Sequence, residues 1–284
     1  MTIHHITSDI NRQLAGLYSA TEIESFIRIL FNHHLNMTPA QAHLLHDSEP
    51  PAGVVQQIRA AIDELGKNRP IQYILGKTEF YGLSFGVTPD VLIPRPETEE
   101  LVDWVTHKYD KNATLSIVDV GTGSGCIAVS LAVNFPNANV WAMDISEAAL
   151  DVARQNALKN KVNVNFLQKD VLKDSLVDLE TGLQDIVVSN PPYVTLSEKR
   201  QMQPNVLEYE PHCALFSPCD DPLIFYRRIA AFGTKCLKKQ GRIFFETNEV
   251  FSLEVADVLK QYGYWDIVSR KDINGKWRMV SAQL

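Results

Sequence analysis

Between Leu115 and Ala282, short apolar runs of strand length alternate with amphipathic stretches of helix length. That alternation constrains the fold more than any other feature, because parallel strands need a crossover connection and a helix usually supplies it. Ser116-Ile117-Val118-Asp119-Val120 reads as a buried strand, Cys126 to Phe135 as a helix stopped by Pro136, and Asn139 to Ile145 as a strand. Ser146 caps a helix to Asn160, and Val164 to Gln168 and Asp185 to Ser189 are further strands. A helix opened by Asp221-Pro222 runs to Leu237, Arg242 to Glu246 is a strand, and Val250 to Tyr262 is a helix closed by Gly263. Tyr264 to Arg270 and Lys276 to Ala282 flank Asn274-Gly275, a strong hairpin signal. The expected class is α/β, a parallel sheet that ends in an antiparallel hairpin.

The region up to Lys67 reads as helical instead. Thr21-Glu22-Ile23-Glu24 has the spacing of a capping box, ahead of a face carrying Ile23, Phe26, Ile27, Leu30 and Phe31. Thr38-Pro39-Ala40-Gln41 is a second start, with proline at the first helical position. Val54 to Leu65 is a third helix, with Gly66 at its end. From Arg69 to Arg95, the runs Ile71 to Gly76 and Phe80 to Phe85 are β-prone and broken by glycines, which suggests a connector with a hairpin. Pro94 and Pro96 then force an extended approach to a helix from Thr98 to Tyr109. The expected organisation is a helical domain over 1–68, a linker over 69–97 and an α/β domain over 98–284.

Composition narrows the function classes. A net charge of -7 argues against a chain that holds long nucleic acid by neutralising many phosphates. It suits a small-molecule or protein substrate better, a basic protein included. No apolar run approaches the ~20 residues of a membrane span, and Met1-Thr2-Ile3-His4-His5 carries no secretory pattern. Cys126, Cys213, Cys219 and Cys236 form no Cys-x-x-Cys pair, so reduced cysteines in a cytoplasmic protein are expected. His33-His34 and the pair His43 and His46 lie in the helical region without a partner cluster, and no metal site is expected.

The chemistry-bearing residues sit where strands end. Asp119-Val120-Gly121-Thr122-Gly123-Ser124-Gly125 joins a strand to its helix, with glycines that let the backbone turn tightly and approach a ligand. The dinucleotide fingerprint is not met, since Cys126 holds its last glycine position, and no Gly-Lys-Ser/Thr occurs. The Asp119 carboxylate would repel a pyrophosphate but suits a cationic amino-acid moiety. Asp144 ends the second strand, where an acid meets ribose hydroxyls in adenosine-binding sheets; its bland role is to cap the next helix. Asp170 can accept from an adenine amino group, with Val171 against the ring; its bland role is a loop acid. After Asp185 to Ser189 comes Asn190-Pro191-Pro192-Tyr193. Its two prolines make a stiff strand-end loop with one amide, free carbonyls and one aromatic ring. Such a loop suits a planar amide or amino group, or it is merely a turn.

Gly121 to Gly125, Asp144, Asp170 and Asn190-Pro191-Pro192-Tyr193, in this order, resemble an S-adenosylmethionine-dependent amino-methyltransferase with a Rossmann-like seven-strand sheet. Three further stretches, Pro70 to Gly76, Ile93 to Glu99 and Glu210 to Phe216, resemble the HemK/PrmC family. That resemblance implies transfer of a methyl group to the glutamine of the Gly-Gly-Gln motif in class-1 peptide chain release factors. It also implies an N-terminal helical bundle that recognises the substrate, a hairpin linker and a C-terminal methyltransferase domain. Carried over, Gly121, Thr122, Gly123, Ser124 and Gly125 would cradle the methionine end of the cofactor. Asp144 would bind its ribose, Asp170 and Val171 would border the adenine, and Glu97 and Thr98 would line the site. Asn190, Pro191, Pro192 and Tyr193 would hold the glutamine, with Asn190 also next to the cofactor. The Asn190 side-chain oxygen and the Pro191 carbonyl would accept the two amide hydrogens, and Tyr193 would pack on the amide plane. Two stretches depart from the family pattern: Glu246-Thr247-Asn248 stands for Glu-x-Gly, and Ser217 to Pro222 replaces a glycine-rich stretch. The alternatives left open are glutamine methylation of a ribosomal protein, adenine methylation of a nucleic acid on a flipped base, and a non-catalytic binding protein.

Overall fold

Helix starts near the amino end are set by side chains that reach back to their own backbone. In the computed structural model, which describes residues 1–173, 183–195, 197–218 and 221–284, Thr2 caps α1 (Ile3–Leu14). Ser19 caps α2 (Ala20–Leu35): its hydroxyl accepts from the Glu22 amide, and the Glu22 carboxylate accepts from the Ser19 amide at 2.9 Å. The box expected at Thr21 therefore forms two positions earlier, because Ser19-x-x-Glu22 has the same spacing and starts the helix sooner. Thr38 and Gln41 form the expected box at α3 (Pro39–Leu44). α4 (Ala52–Leu65) follows, and Ile3, Ile6, Ile10 and Leu14 of α1 share one core with Leu30, Phe31, Ile58 and Ile62.

The run after Pro70 is helical, not extended, and forms α5 (Ile71–Leu75). Tyr73 and Ile74 both donate to the Pro70 carbonyl, and Ile71 joins the core that α4 helps to build. So short an apolar run carries no period of its own, and packing decides its conformation. These five helices and α9 (Pro204–Tyr209) make up a smaller compact unit of Met1–Leu75 and Pro204–Tyr209.

The larger unit comprises Gly76–Gln203 and Glu210–Leu284. It opens with an antiparallel hairpin, β1 (Lys77–Phe80) and β2 (Leu83–Gly86), turning at Tyr81 and Gly82, both at positive φ. The Tyr81 amide donates to Glu99 of α6 (Pro96–Lys108) at 2.8 Å, which holds that strained turn in place. β3 (Ser116–Val120), α7 (Cys126–Asn134), β4 (Asn139–Asp144), α8 (Glu147–Lys159), β5 (Asn165–Gln168) and β6 (Gln184–Ser189) then alternate. α10 (His212–Leu215), α11 (Ile224–Cys236), β7 (Leu237–Glu246), α12 (Ser252–Gln261), β8 (Trp265–Lys271) and β9 (Trp277–Gln283) complete the chain.

The seven strands are ordered β5-β4-β3-β6-β7-β9-β8, parallel from β5 to β7, with β9 antiparallel to β7 and β8 antiparallel to β9. Alternate residues of the central strands enter two cores. Ile117, Ile186 and Val188 pack with Trp104 and Leu131 on one face, and Val118, Val187 and Ile243 with Tyr226 and Val255 on the other. Both faces are covered, so β3 and β6 are apolar along most of their length. The closing hairpin is longer than a two-residue Asn-Gly turn. Gly275, at φ 78, donates to the Asp272 carbonyl, and the Asp272 amide donates to the Lys276 carbonyl. Strand order reverses between β3 and β6, which opens a crevice beyond their carboxyl ends, the place where such sheets bind ligands.

Candidate active site

A cavity of about 440 Å³ fills that crevice, a size suited to a small organic ligand. Gly121, Thr122, Gly123, Ser124, Asp144, Asp170, Val171, Asn190, Pro191 and Pro192 all line it, as does Thr98. The structure thus brings together every site residue expected from sequence except Asp119, Gly125, Tyr193 and Glu97, which are not among its lining residues.

Gly125 acts from behind the wall. It caps α7 at φ 79, and a Cβ there would lie 3.0 Å from the Cβ and 3.2 Å from the Cα of Ala153 on α8. Only glycine allows both this backbone conformation and this approach. Gly121 and Thr122 donate to the Met143 carbonyl at 2.8 and 3.0 Å, which fastens the loop to the end of β4. Asn156 of α8 donates to the carbonyls of both Ser124 and Gly86, each at 2.9 Å, and so ties the loop to the hairpin.

Asp144 accepts from the Gly123 amide at 2.8 Å on one oxygen and from the Ser146 amide at 3.0 Å on the other. A carboxylate has about four acceptor positions, so both oxygens can still accept from a ligand. Ser146 caps α8 itself, through the Ala149 amide at 3.2 Å. Burial pushes the Asp144 carboxyl above its usual range. Asp170 accepts from the Leu172 amide at 2.9 Å, and Arg228 holds the Val171 carbonyl at 2.7 Å, which sets Val171 into the wall.

Asp119 has no exposed surface. It accepts from the Thr122 hydroxyl at 2.6 Å and the Ala128 amide at 3.2 Å, while its Oδ1 has no partner. Burial, with the charge of Asp144 adding to it, pushes its carboxyl up to about 7. A fully buried acid with an unmatched oxygen beside a glycine-rich loop fits a cationic group.

At the other end, Asn190 donates from Nδ2 to the Thr98 hydroxyl at 3.1 Å, and Thr98 donates to Glu246 Oε2 at 2.6 Å. Tyr193 donates to Glu246 Oε1 at 3.3 Å and packs on the core beneath β6 and β7. The ring expected over a guest amide is therefore held by the Glu246 carboxylate. Burial pushes Glu246 up to about 7; Thr98 and Arg278 oppose the shift and Glu97 adds to it. Among the described residues, no group of three or more His, Cys, Asp or Glu side chains is placed to hold a metal ion.

Residues 7–76 match the PrmC N-terminal domain, and residues 100–208 match the Methyltransferase small domain. The release factor glutamine methyltransferase of Flavobacterium psychrophilum is 41% identical over 285 residues, 99% of either chain. That of Bacteroides thetaiotaomicron is 41% identical over 280 residues, again 99% of either chain. The chain belongs to the release factor glutamine methyltransferase family. A methyltransferase from Pyrococcus furiosus, 18% identical, shares the fold with a TM-score of 0.51 over 71% of this chain and 89% of its own.

The departures from the pattern of release factor glutamine methyltransferases have local explanations. Asn248, where glycine was expected, does not need a positive φ. Its side chain instead donates to Glu198 at 3.0 Å and accepts from the Val250 amide at 3.0 Å. In the second departure, Ser217 donates from its hydroxyl to the Asp221 carbonyl, and its amide donates to the Val194 carbonyl at 3.0 Å; Cys219 and Asp220 lie outside the described residues. Phe216 pairs with Val194, which lays this stretch beside the Asn190 loop as a cavity wall. Arg95 also lines the cavity, paired with buried Glu210 at 2.6 Å. No local signal marked this pair, because its members lie 115 positions apart.

Proposed function

We propose that this chain transfers the methyl group of S-adenosylmethionine to the side-chain amide nitrogen of the Gly-Gly-Gln glutamine in a class-1 peptide chain release factor. One observation carries the reading: a single cavity runs from the glycine loop and Asp144 to Asn190 and Pro191. Residues fit for the cofactor and for an amide thus open into the same space.

When bound, S-adenosylmethionine supplies an electrophilic methyl group on a sulfonium. Gly121 to Gly125 and the unmatched oxygen of Asp119 suit its amino-acid end, Asp144 its ribose, and Asp170 with Val171 its adenine. The substrate nitrogen is a weak nucleophile, since its lone pair is delocalised into the carbonyl. Asn190 Oδ1 and the Pro191 carbonyl accept its two hydrogens and fix its direction. Holding a reactant in one orientation contributes several kcal/mol to catalysis, and acceptors matched to charge developing on nitrogen add to it. The fixed φ of Pro191 and Pro192 keeps these acceptors from relaxing. Tyr193 acts indirectly, through Glu246.

The helical unit of Met1–Leu75 and Pro204–Tyr209 is assigned to recognition of the release factor, and the net charge of -7 suits a basic protein partner. A cytoplasmic location is proposed from the cysteines: Cys126, Cys213 and Cys236 are free. Among the described residues, no helix is long and apolar enough to cross a membrane.

The test is methyl transfer to a purified release factor and to its Gln→Ala form, before and after nuclease treatment. Transfer should need the glutamine and ignore the nuclease. Asn190→Ala should lower turnover at least about 100-fold with cofactor affinity intact. Near-normal turnover in that variant would refute the assigned role.

A further inference from the structure

The hydrogen-bond directions around Asn190 form a chain with one consistent polarity. While Glu246 is ionised it only accepts, so the Thr98 hydrogen is then committed to Glu246 Oε2 at 2.6 Å. The Thr98 oxygen can then only accept from Asn190, and at 3.1 Å it takes Nδ2. Asn190 Oδ1 is left with no hydrogen bond from the described residues, on a side chain that lines the cavity. A flipped amide would place Oδ1 against the Thr98 oxygen with no hydrogen between them.

We propose that Thr98 and Glu246 are positioning residues that set the polarity of the amide pocket, so that it takes a glutamine and rejects a glutamate. The proposal rests on the reading that Asn190 binds the glutamine amide. Two acceptors, Asn190 Oδ1 and the Pro191 carbonyl, match the two hydrogens of an NH₂ group. A carboxylate in the same place would meet only acceptors. Thr98 and Glu246 are buried, at 2% and 1% exposure, which leaves each of them little contact with bulk water. Three groups face Glu246: Tyr193, after β6, donates to it, Arg278 on β9 favours its charged form, and Glu97 on α6 opposes it. Arg278 is itself held by Asp272 and the Thr247 carbonyl, each at 3.3 Å.

Losing the Thr98 hydroxyl should free the Asn190 amide to rotate and to offer NH₂ to a guest. A general loss of packing would not change the ratio of glutamine to glutamate binding; loss of polarity would narrow it. The full chain is assayed with a release factor carrying glutamine as substrate, and with its Gln→Glu form as competitive inhibitor. Cofactor binding is measured by calorimetry with S-adenosylhomocysteine. Wild type should favour glutamine over glutamate by about 10- to 100-fold, the worth of an unmatched buried polar group. Thr98→Val should lower kcat by about 10- to 100-fold, narrow the discrimination to about threefold, and leave the cofactor Kd within about twofold. Thr98→Ser should recover most of both lost properties.

A second measurement needs no variant. Protonation of Glu246, pushed up to about 7, ends its obligatory acceptor role, so wild-type discrimination should narrow as pH falls through that value. Thr98→Val with wild-type kcat, Thr98→Ser as impaired as Thr98→Val, or discrimination unchanged by both the variant and pH would each overturn the relay. A wild-type chain inactive on the release factor overturns the functional reading and the relay together. An active wild type with an equally active Thr98→Val overturns the relay alone.

Discussion

Asp119→Asn should stabilise the ligand-free protein, and by an amount that grows with pH. The native carboxyl is raised from 3.8 to about 7 because it is buried with one oxygen unmatched. Between those values the native state keeps a proton that the unfolded chain has released, so stability falls as pH rises. Each pKa unit is worth about 1.4 kcal/mol, which sets a ceiling of about 4 kcal/mol on the penalty at pH 7 and above. Below about pH 4 both states are protonated and the penalty vanishes. Asparagine keeps an acceptor for Thr122 and Ala128 and removes the titration. Glu246 contributes a penalty of the same sign, but it cancels between the two proteins. The assay is urea unfolding at a series of pH values, followed by tryptophan fluorescence. Trp104, Trp141, Trp265 and Trp277 all lie in the larger unit, so the signal reports the sheet and its helices. The stability difference should widen from pH 4 to pH 7 and then level off. A constant difference, or a wild type that gains on Asp119→Asn as pH rises, would refute the reasoning. S-adenosylmethionine, which brings a cation, should stabilise wild type more than Asp119→Asn at pH 8.

The glycine loop and Asp144 give two further expectations. Gly125→Ala combines a left-handed backbone, worth about 1–2 kcal/mol, with overpacking against Ala153, worth about 1–3 kcal/mol; urea unfolding should show a loss of about 2–5 kcal/mol. Gly121→Ala, with open space around its added Cβ, should show the backbone part only, and equal losses in the two variants would contradict the packing argument. Asp144→Ala removes the acceptor for two backbone amides and for a ligand, and should weaken S-adenosylhomocysteine binding by about 10- to 100-fold in calorimetry; unchanged affinity would show that Asp144 only braces the loop.

Much of the sheet was legible because its signal is local. Each central strand is an apolar run, and the starts of α6 and α8 carry a proline and a capping serine, so much of the β3 to β7 alternation follows from neighbouring residues. The glycine loop was legible for the same reason: three glycines within five positions are a backbone statement. The structure departs from the sequence expectation where two local solutions compete. Ser19 and Thr21 offer the same capping spacing, and Ile71 to Leu75 is too short for a period of 3.6 to differ from one of 2.

The relay from Asn190 to Glu246 shows what sequence cannot carry. Thr98 and Glu246 are 148 positions apart, and neither has a neighbour that marks its partner. Their meeting follows from topology. β3, β6 and β7 lie side by side, and adjacent strands are about 4.8 Å apart. The glycine loop, Asn190 and Glu246, which end those strands, must therefore emerge next to one another, whatever separates them in sequence. Thr98, in the first turn of α6, meets both Asn190 and Glu246 there. Tyr193 donates to Glu246 at that strand end, since a buried carboxylate needs donors. The residue type suggests an aromatic platform, and the structure adds a hydrogen bond from its hydroxyl to the neighbouring strand end.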